Sequence, residues 1–188
     1  MVFVNGLVTK AFFNPKHVGE VAEPRFTGRS ASFQCGAIVR VSLSIDDSQL
    51  ITDAKFKAAG CSVLVGASSL LLHEVIGKTT AEAARIVQSH GLDEPGFLPP
   101  GKNACVQLIS DALLAAIRSF SDAARDLWEG DEALICTCFC VSERTIEREI
   151  RQHRLSTIAE VSSACNAGAG CRSCYSLIED ILGEVNSE

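Results

Sequence analysis

Nine cysteines carry most of the chemistry available to this chain, and they fall into two groups. Cys136-Thr-Cys138 and Cys171-Arg-Ser-Cys174 are two close pairs separated by a helical gap. Four thiolates gathered from such pairs favour zinc or an iron–sulfur cluster. The CxC half is less usual for a zinc ribbon, whose pairs have longer internal spacing. Spacing by itself leaves zinc and cluster open. Cys35, Cys61 and Cys105 stand alone. Each falls at the end of an expected element, and two lie near helix N-termini, where a thiol's pKa is lowered. Taken singly, such residues are more often buried structural cysteines than ligands. Only folding could make them one site. Cys140 and Cys165 read as small buried hydrophobes.

The elements that must position these thiols are legible in the hydrophobic periodicity. Val39 to Ile45 alternates strictly between apolar and polar residues, the pattern of a strand with one buried face. Asp46 to Gln49 is a turn, and Thr52 to Ala58 alternates again, with Asp53, Lys55 and Lys57 facing water. The pair reads as an antiparallel hairpin. A further strand around Ser30 to Phe33 is weakly signalled. Ser62 to Ile76 reads as a buried helix ended by Gly77. Thr79 and Glu82 have capping-box spacing for a short helix. Residues 91–101 form a Pro- and Gly-rich loop. A helix then starts at Cys105 with a stripe at Val106, Ile109, Leu113, Ala116, Ile117 and Phe120. The polar stretch 121–132 reads as its tail and a linker. Beyond it, Ser142 is placed to cap one helix and Ser156 or Thr157 another, with Glu160 positioned for a capping box on Thr157, and Gly168 to Gly170 forms a tight turn. Cys171 is expected to open a last helix running through Leu182, so that Cys171 and Cys174 sit in its first turn. The whole is an α+β chain: a small antiparallel sheet packed with helices, then a small, mainly helical domain.

Composition narrows the function classes. The chain has 188 residues, 17 basic and 23 acidic, for a formal charge of −6. That balance argues against a nucleic-acid partner, which requires surplus Lys and Arg to neutralise phosphates. No uninterrupted apolar run is long enough to span a bilayer, and no secretory signal is visible, so a cytoplasmic protein without a membrane partner is expected. An odd cysteine count in that setting favours metal or redox chemistry over a disulfide scaffold. His17, His73, His90 and His153 match no ligand pattern; His73 is expected in the core and the other three in solvent. No Walker, dinucleotide or Ser-His-Asp signature is present.

Two family resemblances add to this reading. Residues 133–141, 155–161 and 169–174, which include ALICTCFCV, LSTIAEV and AGCRSC, resemble the central domain of the NifU family and the bacterioferritin-associated ferredoxin family. That likeness implies a permanent [2Fe-2S] cluster on Cys136, Cys138, Cys171 and Cys174. Phe13-Asn-Pro-Lys16, Cys35-Gly36, Ala54-Lys-Phe56, Gly60-Cys61, Gly77-Lys-Thr79 and residues 98–105 (LPPGKNAC) resemble the IscU and NifU N-terminal scaffold family. This likeness implies that Cys35, Cys61 and Cys105 accept sulfur from a cysteine desulfurase and hold a transient [2Fe-2S] or [4Fe-4S] cluster built with iron. It further implies transfer to apo iron–sulfur proteins, a homodimer and a link to nitrogen fixation. The corresponding divisions are a scaffold domain at 1–125, a linker at 126–132 and a [2Fe-2S] domain at 133–188.

The chain departs from that pattern beside the three cysteines. Ala37 stands where the family keeps Asp, and Ala104 stands where it keeps His. Neither alanine can ligate or move a proton. The family's Asp helps make the nascent cluster labile, so Ala37 implies a longer-lived one. Lys102 matches a family lysine near the site and suits an anionic cluster better than a ligand role. The loop 98–102 resembles one read by a dedicated chaperone, although chaperone binding is not expected here. The family's further CxxC carrier domain does not occur in these 188 residues. The leading expectation is a non-enzymatic assembly scaffold. The alternatives are a cluster carrier or electron-transfer module without assembly activity, and a zinc-bound interaction protein.

Overall fold

The computed structural model describes residues 6–22, 26–89, 103–130 and 132–187. The chain divides into two compact units, residues 1–120 and 121–188. In chain order, the elements of the first unit are α1 (Gly6–Phe13), β1 (Phe26–Ala31), β2 (Ile38–Ile45), β3 (Ile51–Ala59), α2 (Ser62–Val75), α3 (Thr80–Ser89) and most of α4 (Asn103–Asp126), whose residues from 121 on belong to the second unit. Its three strands form an antiparallel sheet of order β1-β2-β3.

The expected hairpin is β2 and β3, paired through Val41 and Phe56. Its turn is built by Asp46, whose carboxylate accepts hydrogen bonds from the N–H groups of Ser48 (3.0 Å) and Leu50 (2.9 Å). The early strand begins at Phe26, not Ser30, and Phe33 is exposed in the turn after it. Nothing in Phe-Thr-Gly-Arg-Ser-Ala alternates. The strand is held by its neighbour and by α4, which approaches so closely that a Cβ on Gly28 would stand 2.0 Å from the Ala112 carbonyl oxygen.

The central strand is covered on more than one face. Val39, Val41 and Leu43 are fully buried, but so is Ser42. Residues 17–19 pair along the edge of β3, and Glu20 and Val21 then reach the second face. The Phe56 N–H donates to the His17 carbonyl, the Gly19 N–H donates to the Phe56 carbonyl (2.8 Å each), and the Val21 N–H donates to the Ser42 hydroxyl (3.2 Å). Glu20 pairs with Arg40 and Lys57. Lys57 therefore faces water as expected, whereas Asp53 and Lys55 are half-buried.

Helix α2 keeps its expected span, and Gly77 follows it at φ +80°, a left-handed position that glycine takes without strain. Gly66 lets α1 lie against it: a Cβ there would be 2.4 Å from the Val8 carbonyl oxygen. The capping box on α3 is formed by Thr79 and Glu82. Helix α4 starts two residues before Cys105 and buries Val106, Ile109, Leu113, Ala116 and Ile117. By length and composition alone α4 could cross a membrane, but 56% of that apolar stretch is buried inside the protein, as in a core helix.

The second unit contains a two-stranded hairpin, β4 (Leu134–Cys136) and β5 (Val141–Ser142), then α5 (Glu143–His153), α6 (Ile158–Cys165) and α7 (Tyr175–Ser187). Ser142 caps α5, and Thr157 with Glu160 forms a full capping box on α6. Ile146, Ile150, Val161 and Ile178 fill the core. The last helix starts at Tyr175, four residues later than the sequence suggests. Arg172 adopts a left-handed φ of 64°, which a continuing helix cannot contain. Cys174 precedes the helix, and its carbonyl accepts the Ile178 N–H (3.0 Å). Only Cys174 therefore adjoins the helix end.

Candidate functional site

In the second unit the β4–β5 hairpin presents Cys136 at the end of a strand and Cys138 in its turn. The segment from Gly168 to Cys174 returns the other two cysteines to the same place. A Cβ on Gly170 would lie 3.2 Å from Cys138 Cβ and 3.4 Å from its sulfur, so glycine lets backbone pass close to the thiols. The four thiols meet as two pairs. Cys138 Sγ donates to Cys171 Sγ at 3.3 Å, and Cys174 hydrogen-bonds with Cys136. The charge of Cys136 also acts on Cys138, linking the two pairs. Among the described residues, no three His, Cys, Asp or Glu side chains are already gathered as a metal site.

The environments of these thiols differ sharply. Hydrogen bonds donated by the Ser173 hydroxyl and N–H, and by Cys138, lower Cys171 to about 7. Burial, together with Cys136 beside it, pushes Cys174 up to about 11, although the N–H groups of Cys174 and Gly168 point at its sulfur. Burial also raises Cys138. Donors aimed at sulfur are the usual protein support for thiolate-bound clusters. The four-sulfur donor set therefore fits a [2Fe-2S] group or another thiolate-bound metal.

In the first unit, Cys61 occupies the N-cap position of α2, two residues after β3, and Cys105 lies in the first turn of α4. Their sulfurs are 3.1 Å apart. Cys35 is exposed in the turn from Ser32 to Ala37, closed by hydrogen bonds from Gly36 N–H to Ser32 O and from Ser32 N–H to Ala37 O. Ile38 pairs with Ala59, so this turn and Gly60-Cys61 lie at the same end of the sheet. A Cβ on Gly60 would be 2.9 Å from Ala37 Cβ, which places Ala37 against the residue preceding Cys61. The three isolated cysteines thus share one end of the unit, 70 residues of sequence notwithstanding.

Residues 4–126 match the NifU-like N terminal domain family. The chain belongs to that family. Residues 134–184 of this NifU-like chain match the BFD-like [2Fe-2S] binding domain. The chain is 35% identical over 189 residues to the nitrogen fixation protein NifU of Nostoc sp., covering 95% of this chain and 62% of that relative. It is 36% identical over 110 residues to the iron-sulfur cluster assembly scaffold protein IscU of Haemophilus influenzae, covering 57% of this chain and 86% of the relative. The crystal structure of the N-terminal part of a nitrogen-fixing NifU-like protein from Brucella abortus superimposes with a TM-score of 0.52 at 26% identity, covering 63% of this chain and 94% of that one. The α+β architecture read from the sequence is that of these relatives.

Around the NifU-like cysteines, Ala37 is buried and Ala104 is exposed, and neither side chain offers a donor. Lys102 and the loop 98–102 lie outside the described residues. Cys140 and Cys165 are half-buried rather than fully buried. Cys140 donates to the Ser121 carbonyl and Cys165 to the Val161 carbonyl, and burial raises both pKa values. His73 corrects the sequence reading. It is exposed at the end of α2, with Nδ1 3.2 Å from His17 Nε2. Its partner is 56 residues away, beyond any spacing rule. Burial and the neighbouring His73 lower the pKa of His17.

Proposed function

We propose that this chain is an iron–sulfur assembly scaffold. Cys35, Cys61 and Cys105 receive sulfur from a cysteine desulfurase, hold a transient [2Fe-2S] or [4Fe-4S] cluster as cargo, and pass it to apo-proteins. The approach of Cys61 and Cys105 sulfurs to 3.1 Å, at the sheet end that also carries Cys35, is the observation that carries this reading. The scaffold work belongs to residues 1–125 and the resident cluster to 133–188, with 126–132 joining them. A homodimer in the cytoplasm completes the proposal, since two chains can share a cargo that three thiolates of one chain leave incompletely ligated.

Sulfur transfer is nucleophilic. A thiolate of this chain attacks the outer sulfur of the desulfurase persulfide. A new S–S bond forms on this chain, the desulfurase S–S bond breaks, and the desulfurase cysteine leaves as thiolate. Cys61 occupies the N-cap position of α2, with its sulfur 3.1 Å from that of Cys105. Releasing sulfide from the product takes two electrons and one proton, which an external reductant such as a dithiol supplies.

Cys136, Cys138, Cys171 and Cys174 are the residues that would hold the resident [2Fe-2S] group. When bound, that group supplies one electron at a time. The chain's own part is to aim the N–H groups of Ser173 and Gly168 at sulfur and to keep backbone close at Gly170.

Ala37 and Ala104 favour a second reading, a carrier that binds a preformed cluster without building one. Anaerobic incubation of the full chain with a cysteine desulfurase and cysteine, followed by peptide mass analysis, separates the two. A scaffold gains one-sulfur adducts on Cys35, Cys61 or Cys105. Complete lack of adducts there removes the assembly proposal.

A further inference from the structure

Residues 14–21 are tied down on both sides. The Lys16 N–H donates to the Ser69 hydroxyl of α2 (2.9 Å), while His17 and Gly19 bond to Phe56 of β3. His17 is held between these anchors at φ 62°, a left-handed conformation that histidine visits more readily than most residues. Its ring meets that of His73, with centroids 5.4 Å apart and planes at 27°. The two facing nitrogens, His17 Nε2 and His73 Nδ1, are 3.2 Å apart.

The geometry points to a second metal site, in which His17 and His73 together bind a divalent transition-metal ion. At a metal–nitrogen distance of roughly 2.0–2.1 Å, two nitrogens this far apart subtend about 103° at the ion, close to the tetrahedral angle. Such an arrangement brings the ring centroids to about 5.0 Å, so each ring must turn by roughly 20° from its nearly head-on position for the two lone pairs to converge on one ion. Both facing nitrogens must offer lone pairs. Whichever ring donates in the N–H···N bond moves its proton to its own other nitrogen, and no net proton is lost.

Three features shape what the site would hold. Imidazole suits zinc, iron, nickel and copper, and does not suit calcium or magnesium. A pocket of about 540 Å³ borders His73 and is lined also by Lys10, Lys16 and Ser69, so water reaches the His73 side of the pair. The charge of Asp53 on His17 favours a cation, while Lys16 and Lys55 oppose it. Two protein donors and mixed neighbours make an exchangeable ion rather than a structural one. The site is separate from the thiols: His73 is at the far end of α2 from Cys61, about 18 Å along the helix at 1.5 Å per residue. It does not rest on the scaffold reading.

The test is a zinc titration of the full chain followed by ring-nitrogen NMR, continued after the cysteines have taken their share. His17 and His73 ring resonances are expected to shift together, with His153 as an unshifted control. His73→Ala should raise the zinc concentration needed to move His17 at least tenfold, with the amide spectrum confirming the fold. His17→Asn, which tolerates the left-handed backbone, should do the same to His73. If neither ring moves up to about 1 mM zinc, or if either ring responds equally without its partner, the site does not exist and the contact is an ordinary hydrogen bond.

Discussion

Replacing Gly168 by alanine tests how tightly the second unit holds its cysteines. Gly168 has φ +79°, and a Cβ there would stand 2.8 Å from Tyr175 Cε1, 3.1 Å from Tyr175 Cδ1 and 3.2 Å from Ile178 Cδ1. The left-handed backbone costs an L-residue about 1–2 kcal/mol. Displacing the Tyr175 ring and Ile178, the latter fully buried, adds about 1–2 kcal/mol of overpacking. The sum, about 3 kcal/mol, is on the order of a hundredfold in the unfolding equilibrium. Trp128 is the chain's one tryptophan and lies in this unit, its indole N–H bonded to the Glu132 carbonyl (3.0 Å). Its fluorescence during urea unfolding therefore reports the relevant transition. Gly168→Ala should also lower the affinity for metal, since the Gly168 N–H points at Cys174. In a Tyr175→Leu background the cost should fall toward the backbone share of about 1–2 kcal/mol, with the approach to Ile178 remaining. A cost below about 1 kcal/mol, or one unchanged by removing the Tyr175 ring, refutes this reasoning.

Three further outcomes are expected. Gly28→Ala forces a methyl to 2.0 Å from the Ala112 carbonyl and 2.4 Å from the Ala116 nitrogen, both backbone atoms. It should destabilise the first unit by at least about 3 kcal/mol, and a thermal midpoint equal to the parent's would count against the β1–α4 packing. Ala37→Asp restores a carboxyl beside Gly60 and Cys61, and should speed transfer of an assembled cluster to an apo-ferredoxin; equal or slower transfer would remove the lability argument. Cys140→Ala loses one S–H···O bond to Ser121 and should leave iron content unchanged, at a stability cost of about 1 kcal/mol. Lost iron would make Cys140 a ligand.

Local rules carried the sequence reading a long way. The β2–β3 hairpin was legible because its apolar residues alternate, and the caps at Thr79, Ser142 and Thr157 because a side-chain oxygen and the N–H that donates to it lie three residues apart. What failed was decided at a distance. Strand β1 lacks alternation and exists through β2 and α4. Ser42 is buried where Val21 lies against it, and the segment 17–21 shows no strand pattern of its own. The start of α7 was misplaced because Arg172 takes a left-handed turn that no residue preference announces. The CxC and CxxC pairs were legible from spacing, whereas the meeting of Cys61 with Cys105, 44 residues apart, came only from likeness to a family. The His17–His73 pair had no sequence signal at all.

The central claim is that two thiol sites on one chain do different work. Its most direct measurement is anaerobic iron and sulfide quantitation with EPR on three full-length proteins after desulfurase-driven reconstitution. They are the parent, a variant with Cys35, Cys61 and Cys105 changed to Ser, and a variant with Cys136, Cys138, Cys171 and Cys174 changed to Ser. The first variant should keep a reducible [2Fe-2S] signal and lose only the iron that transfers to an apo-protein. The second should lose that signal and still build transferable cluster. Loss of all iron and sulfide in the second variant, with none lost in the first, would contradict the scaffold role of Cys35, Cys61 and Cys105.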